Sequence, residues 1–305
     1  MKIVVLGPGL MGESMARLYL RAGHEIAVLQ HRNAEPVDRL VSEGAARIED
    51  LVQAGTDADI VFCMLPNLPE IEDLLFHQGL SEALRSGSLF LNMSTVSPEG
   101  IQSVAERLGE KGIDVLDAPV SGGTAKAASG TLAVMAGGQR QVYERYLPIL
   151  SIVGENIFYT GPVGTGQVIK LCNNLLAAMI MTANAEVLAM GAKAGADAEL
   201  IREIVLQSTG CNRILADWIP RTILQGAYTP GFTLRLMQKD VDLAMQLGHS
   251  TGTPLFLGAL TKQLLRMAEG ASGGNAELDF SVIAKLYQDV VDVDLAEKKS
   301  PVEAI

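Results

Sequence analysis

Two polar residues suited to acid–base chemistry lie four positions apart in the stretch GTGQVIKLCNN, residues 164–174. Side chains with this spacing share one face of a helix, so Lys170 and Asn174 would point the same way if the stretch is helical. A lysine in a closed pocket can protonate a carbonyl oxygen while a hydride reaches the carbon, and its charge attracts an anionic substrate. The stretch is therefore a candidate catalytic segment.

A second polar segment, DAPVSGG at residues 117–123, ends a β-rich run. Ser121 offers a hydroxyl group, while Gly122 and Gly123 offer consecutive backbone N–H groups in a flexible turn. A carboxylate only accepts hydrogen bonds, so a cluster of such donors suits it. The segment is predicted to bind the carboxylate of a small substrate.

Three glycines near the start of the chain match the turn that binds a dinucleotide pyrophosphate. Gly7 permits the tight turn, Gly9 lets the backbone approach the pyrophosphate, and Gly12 lets the following helix pack close to the strand. The helix N-terminus adds free N–H groups and a partial positive charge. Since the motif follows a strand and opens a helix, we predict a cofactor site that includes Leu10 and Met11 within the turn.

The end of the second predicted strand indicates which dinucleotide binds. Folds that prefer NAD usually place Asp or Glu here, where it binds the ribose 2′-hydroxyl. This chain has Gln30, His31, Arg32 and Asn33 instead. No carboxylate would repel a 2′-phosphate, and Arg32 could bind one through two hydrogen bonds with help from Asn33. NADP is therefore predicted in preference to NAD, although Arg32 could also be a solvated surface charge.

Alternating β-rich and amphipathic runs predict the scaffold for these segments. Strands are expected at residues 2–7, 24–30, 59–65, 88–92, 113–117 and 132–136, with helices between them. This alternation favours a parallel sheet covered by helices on both faces. After the turn-rich stretch 161–166 the pattern becomes helical, and residues 167–191 could form one helix of roughly 35 Å or more.

Composition restricts the class of partner. The 305 residues carry a formal net charge of −11, with 48% hydrophobic residues and no basic block, so neither nucleic acid nor a membrane is an expected partner. No signal segment or bilayer-spanning stretch is apparent, which predicts a cytoplasmic protein. Three scattered cysteines and four histidines suggest no metal site. The long helix is too long for about 140 residues to bury, so we expect a homodimer or homotetramer.

Several ordered motifs together resemble one family, the β-hydroxyacid dehydrogenases related to 6-phosphogluconate dehydrogenase. They are GPGLMG, MLPN (64–67), NMST (92–95), DAPVSGG, GxGxxxKxxNN and MQKD (237–240), and they extend over nearly the whole chain. The resemblance implies an α/β fold class with an N-terminal Rossmann-type NAD(P)-binding domain, residues 1–163. An all-helical C-terminal domain of the 6-phosphogluconate dehydrogenase type would follow, residues 164–305.

The resemblance also implies roles for individual residues. Lys170 corresponds to the catalytic lysine, and Asn174 to a helix residue that contacts the substrate. Binding of the substrate carboxylate is implied for Ser121, Gly122 and Gly123. Cofactor contacts are implied for Leu65, Pro66, Thr95 and Lys239, although Lys239 and Asp240 could instead form a plain surface ion pair.

The implied activity is NADP-dependent reduction of a short semialdehyde acid to the hydroxy acid, with Lys170 as general acid/base. Glyoxylate, succinic semialdehyde and tartronate semialdehyde are the candidate substrates. NAD-dependent 3-hydroxyisobutyrate dehydrogenase is an alternative within the family. A nucleotide-binding module without catalysis is the alternative from another class, and the presence of Lys170, Ser121 and Asn174 counts against it.

Overall fold

The computed structural model describes residues 1–30 and 33–296. Their contacts divide the chain into two units, Met1–Lys170 and Leu171–Ile305. The sequence predicts a boundary at residues 163/164. In the structure the first unit extends further along the chain, to Lys170.

In the described part of the first unit, nine strands form one sheet in the order β3-β2-β1-β4-β5-β6-β8-β7, with β9 paired to β8. The strands are β1 (Lys2–Leu6), β2 (Glu25–Val28), β3 (Ala46–Arg47), β4 (Ile60–Cys63), β5 (Leu89–Asn92), β6 (Asp114–Asp117), β7 (Val120–Ser121), β8 (Leu132–Gly138) and β9 (Gly154–Gly161). The helices are α1 (Leu10–Arg21), α2 (Glu35–Ser42), α3 (Leu51–Thr56), α4 (Leu68–Glu72), α5 (Leu80–Ala83), α6 (Pro98–Gly109), α7 (Gly123–Ser129) and α8 (Arg140–Val153).

The central strands are buried on both faces, as their uninterrupted apolar runs predict. In β1, Ile3 and Val5 belong to the cluster that packs on α1 and α8, whereas Val4 and Leu6 belong to the cluster that packs on α4 and α6. Neighbouring residues of a strand face opposite sides of the sheet, so helices cover both of its faces. The predicted Rossmann-type architecture is confirmed.

The far side of the sheet differs from the prediction of a purely parallel arrangement. Strands β1 to β6 pair in parallel, but β8 is antiparallel to both β6 and β7. The chain reverses between β6 and β8 through the short strand β7 and helix α7, and α8 then returns it so that β9 lies parallel to β8. The sheet is therefore mixed.

The second unit is helical, as predicted. It contains most of α9 (Thr165–Lys193), followed by α10 (Ala198–Leu206), α11 (Leu234–Ser250), α12 (Phe256–Ala271) and α13 (Ile283–Val291), with short π- and 3₁₀-helical turns between α10 and α11. Asp197 caps α10 by accepting a hydrogen bond from Leu200 N–H (2.9 Å), and Thr233 caps α11 in the same way.

Helix α9 is 29 residues long and apolar. Its core face repeats every three or four residues and is buried at Leu171, Leu175, Ala178, Met181, Ala185 and Leu188. By length and composition alone it could cross a membrane, contrary to the sequence expectation that no stretch could, but 44% of its most apolar window is buried inside the protein. Core helices pass the same test, so this feature is weak support for a membrane span.

Candidate active site

Two of the three N-terminal glycines are required by the fold itself. A Cβ atom on Gly7 would lie 2.3 Å from the Met64 carbonyl oxygen, and its φ of +89° is one that L-residues rarely adopt. On Gly12 a Cβ atom would lie 2.1 Å from the Gly7 carbonyl oxygen. At Gly9 no heavy atom lies within 4 Å of the Cβ position. The protein leaves Gly9 open, which suits the close approach of a ligand.

The same turn fits a pyrophosphate. Gly9 is the N-cap of α1, and no side chain caps the helix there. The first N–H groups of a helix have no acceptor within the helix, and together with the helix dipole they attract an anion. Leu10 is exposed, while Met11 is half-buried against the core. The turn can therefore hold the phosphates of the predicted dinucleotide.

Glu13 lies in the first turn of α1, where its negative charge would repel a bound anion unless other residues balance it. Arg39 donates two hydrogen bonds to its carboxylate (2.8 and 2.7 Å), and Arg17 donates a third (2.9 Å). The hydrogen bond from Arg39 is the main cause that lowers the pKa of Glu13, with Arg17 adding to it. The two arginines thus balance the negative charge beside the phosphate turn and join α1 to α2.

The residues predicted to select NADP are only partly described. Arg32 and His31 lie outside the described residues. The side-chain oxygen Oδ1 of Asn33 accepts a hydrogen bond from Glu35 N–H (3.0 Å) at the start of α2. Since this oxygen accepts a hydrogen bond from the first residue of α2, the side-chain N–H groups of Asn33 are the part suited to bind a phosphate. Gln30 accepts a hydrogen bond from Arg47 on β3.

The loops after β4 and β5 are joined by a buried serine. Ser94 Oγ accepts a hydrogen bond from Leu65 N–H (2.8 Å), and Ser94 is 1% exposed. Leu65 and Thr95 are half-buried, whereas Pro66 is exposed. Both loops follow the carboxyl ends of parallel strands, the edge where open α/β sheets bind their ligands.

The predicted carboxylate cradle lies between β7 and α7. Ser121 ends β7 and Gly122 is the N-cap of α7, which begins at Gly123. Gly122 and Gly123 have φ values of +144° and +72°, so other residues would be strained there. The half-buried Ser121 hydroxyl and the backbone N–H groups that follow can donate hydrogen bonds to an anion here.

Lys170 lies on α9 and is only 8% exposed. A lysine is almost never this buried without a partner or a function, because its charge loses the solvation of water. One helical turn earlier, Gln167 is fully buried and contacts the loop after β5: its amide nitrogen donates to the Ser94 carbonyl oxygen (2.9 Å), and its amide oxygen accepts from Val96 N–H (2.9 Å).

Asp117, at the end of β6, completes this buried cluster. Its Oδ2 accepts hydrogen bonds from Gly164 N–H (3.1 Å) and Gln167 N–H (3.2 Å), and its Oδ1 accepts one from the Gln167 amide nitrogen. Burial raises the pKa of Asp117 to about 6, and the hydrogen bonds oppose that rise. In the sequence Asp117 is recognisable only as the start of the DAPVSGG motif, and no local pattern predicts its pairing with Gln167.

The raised pKa of Asp117 predicts a pH-dependent stability. Between pH 3.8 and about 6 the folded chain keeps a proton that the unfolded chain loses, so this stabilising contribution is complete below pH 3.8 and lost as the pH rises through 6. We expect the unfolding free energy of the native chain, relative to Asp117→Asn, to fall by roughly 2 kcal/mol between pH 4 and 7. Urea unfolding at several pH values measures this, and a constant difference would contradict it.

In the second unit, Asn174 is held from two sides. Its amide nitrogen donates to Asp240 Oδ2 (2.5 Å), and its amide oxygen accepts from Asn173 (2.9 Å). Asp240, 1% exposed, also lies 3.0 Å from the Lys239 ammonium group. Lys239 and Asp240 thus form a largely buried ion pair beside Asn174. Among residues 1–30 and 33–296, no group of His, Cys, Asp and Glu could hold a metal.

Comparison with known proteins identifies the family. The model for the NAD-binding domain of 6-phosphogluconate dehydrogenase matches residues 2–161, and the model for the NAD-binding region of NADP-dependent 3-hydroxyisobutyrate dehydrogenase matches residues 164–287. The chain belongs to the β-hydroxyacid dehydrogenase family. It is an NAD(P)-dependent oxidoreductase that acts on CH–OH groups, as the sequence predicted.

Several relatives match over their full length. The 3-hydroxyisobutyrate dehydrogenase of Pseudomonas aeruginosa is 38% identical, over 94% of this chain and 98% of its own. The 2-hydroxy-3-oxopropionate reductase of Escherichia coli is 35% identical, over 97% of this chain and 100% of its own. Among solved structures, the 3-hydroxyisobutyrate dehydrogenase of Mycobacterium tuberculosis with L-serine has a TM-score of 0.85 at 30% identity, covering 93% of this chain and 98% of that one.

Proposed function

We propose that this enzyme uses NADPH to reduce a short semialdehyde acid to its hydroxy acid, with Lys170 as the general acid. The observation that carries the proposal is the burial of Lys170 one turn after the Gln167 cluster that joins α9 to the sheet. The similarity to a 2-hydroxy-3-oxopropionate reductase supports a semialdehyde substrate.

Different residues of this chain bind the substrate, orient it and transfer the proton. The nicotinamide cofactor supplies the hydride when it is bound at the glycine turn. Ser121, Gly122 and Gly123 bind the substrate carboxylate, Lys170 donates a proton to the aldehyde oxygen as it gains negative charge, and Asn174 orients that oxygen. In the oxidative direction the same lysine accepts the hydroxyl proton.

Two other relatives favour a second candidate within the family. An NAD-dependent L-serine dehydrogenase of Pseudomonas aeruginosa is 38% identical to this chain, as is the 3-hydroxyisobutyrate dehydrogenase. Oxidation of a 3-hydroxy acid with NAD would use the same carboxylate cradle and the same lysine. It differs from the first candidate in cofactor and direction.

A substrate panel tests both candidates. We expect rapid oxidation of NADPH, and slow oxidation of NADH, with one of glyoxylate, succinic semialdehyde, tartronate semialdehyde or methylmalonate semialdehyde. Rapid NAD reduction with L-serine or 3-hydroxyisobutyrate, and slow NADPH oxidation with all four aldehydes, would favour the second candidate. Tight NADPH binding without turnover of any substrate would favour the non-catalytic module.

The preference for NADP is expected to depend on Arg32. Arg32→Ala should weaken NADPH binding by ten- to a hundredfold and leave NADH binding within about twofold, because only NADPH carries the phosphate that the guanidinium would bind. Fluorescence titration of each cofactor measures both constants. Arg47→Ala, which changes the arginine on β3 that donates to Gln30, is the matched control, and an equal loss for both cofactors in Arg32→Ala would assign Arg32 a structural role.

We also propose that the enzyme self-associates through its helical unit. Large apolar side chains are exposed on α9 and α12, including Leu176, Met190, Phe256 (82% exposed) and Leu257. Exposed apolar surface of this kind usually marks an interaction site. Light scattering should give a multiple of the 32.4 kDa chain mass. Phe256→Asp should shift the mass toward the monomer while Val52→Asp, on α3, should not; a monomeric native chain would overturn the proposal.

A further inference from the structure

The first turn of α9 receives its cap from a distant strand. Asp117 lies at the end of β6, yet its carboxylate accepts hydrogen bonds from the N–H groups of Gly164 and Gln167 at the start of the helix. A carboxylate at this position also interacts favourably with the helix dipole. Asp117 therefore fixes the start of α9 to the end of β6.

Gln167 extends this connection to a second strand end. Its side chain forms hydrogen bonds to Asp117 on one side, and to Ser94 and Val96 in the loop after β5 on the other. Both ends of its amide group are used, so its orientation is determined by the surroundings. The segment that it holds includes Thr95, for which a cofactor contact is predicted.

The close packing allows little freedom at this junction. A Cβ atom on Gly166 would lie 2.3 Å from the Met135 carbonyl oxygen and 2.8 Å from that of Asp117. The backbone of α9 is thus in contact with β8 and with the end of β6 at the residue before Gln167. Gln167 and Lys170, three positions apart, lie on neighbouring points of one helix face.

We propose that Asp117 and Gln167 are positioning residues for Lys170: their buried hydrogen-bonded pair sets the axial and rotational position of the lysine on α9 relative to the loop that carries Thr95. This inference rests on the proposed role of Lys170 as proton donor. Neither Asp117 nor Gln167 has to touch the substrate for this. A shift of about 1 Å in a catalytic group can lower the rate a hundredfold, so a pair that fixes the position of Lys170 has a large effect on turnover.

A substitution of nearly the same shape at Asp117 separates positioning from a purely structural role. Above pH 6 the carboxylate of Asp117 is ionised although burial opposes its charge. Asp117→Asn has nearly the same shape, but its amide has one acceptor oxygen, so either the Gln167 side chain or the N–H groups of Gly164 and Gln167 lose their acceptor.

The test is a double-mutant cycle between Asp117 and Lys170 at pH 7.5. We expect Asp117→Asn to lower kcat by ten- to a hundredfold for the fastest aldehyde of the panel, while Tm stays within a few degrees and the NADPH Kd within about threefold. In the Lys170→Ala background the same substitution should cost less than twofold, because the lysine that it positions is absent. Asp50→Asn, which changes the aspartate that caps α3, should leave kcat unchanged in both backgrounds.

Gln167→Met provides a second route if Asp117→Asn folds poorly. Methionine retains the length of the side chain but not its hydrogen bonds, and the same dependence on Lys170 is expected. Equal fold losses in both backgrounds, or a loss of activity that follows the unfolded fraction in both variants, would make the pair merely structural and overturn the inference. If Lys170→Ala itself keeps native turnover, the proposed role of Lys170 fails first, and this inference fails with it.

Discussion

Lys170→Ala is expected to lower kcat by about a thousandfold, since a positioned general acid or base contributes roughly 10²- to 10⁴-fold to a rate. The aldehyde oxygen gains negative charge as the hydride arrives, and without the ammonium group water would have to supply the proton. The NADPH Kd should stay within about threefold, because the glycine turn proposed to bind the pyrophosphate lies in a different segment of the chain. Stopped-flow measurement of NADPH oxidation and fluorescence titration give the two quantities.

The same helix offers a matched control for this substitution. Lys193, the last residue of α9, is exposed. Lys193→Ala removes the same side chain from the same helix and should leave kcat unchanged. Native turnover in Lys170→Ala would exclude this lysine from the mechanism.

The elements that the sequence predicts well are those with strong local patterns. Strands β1, β4 and β5 are uninterrupted apolar runs, and α9 repeats its apolar face through more than seven turns at 3.6 residues per turn. Both patterns report burial directly, so they also predict where the core lies. The glycine turn belongs with them only in part: Gly12 packs on Gly7 within one βα unit, whereas the space at Gly7 is closed by the distant Met64 carbonyl oxygen.

The elements that the sequence misses depend on contacts between distant segments. Strand β9 has the partly exposed sequence GENIFYTG and is stabilised by its pairing with β8. The antiparallel direction of β8 is likewise a property of the path between β6 and β8. No local pattern encodes either feature, because β-structure of this kind depends on its neighbours more than on its own residues.

In the candidate site, too, local spacing identifies some residues, whereas their partners lie far away in the sequence. Lys170 and Asn174 can be selected from their spacing, but their surroundings come from residues 50 or more positions away. Asp117 meets Gln167 across 50 positions, and Asn174 meets Asp240 across 66. A buried polar group needs a partner, so the composition of the motifs predicts that such partners exist. Their identity requires the fold.

Gly9→Ala and Gly12→Ala are expected to separate cofactor binding from folding, although the two glycines lie in the same turn. Gly9 has a φ of −80°, which any residue adopts, and space for a Cβ atom. Alanine at this N-cap should cost at most about 1 kcal/mol of stability. Its methyl group, however, would occupy the place where the pyrophosphate meets the backbone. We expect Gly9→Ala to weaken NADPH binding by ten- to a hundredfold with only a small change in Tm.

Gly12→Ala should instead impair both properties. The added methyl carbon would lie 2.1 Å from the Gly7 carbonyl oxygen, which forces α1 away from β1. We expect a loss of several degrees in Tm together with the loss of NADPH binding. Gly109→Ala, at the open end of α6, is the matched control and should change neither quantity. If Gly9→Ala binds NADPH as tightly as the native chain, the pyrophosphate does not contact Gly9, and the cofactor must enter the turn from another side. If Gly9→Ala binds NADPH weakly while remaining folded, the phosphates occupy the open space above Gly9.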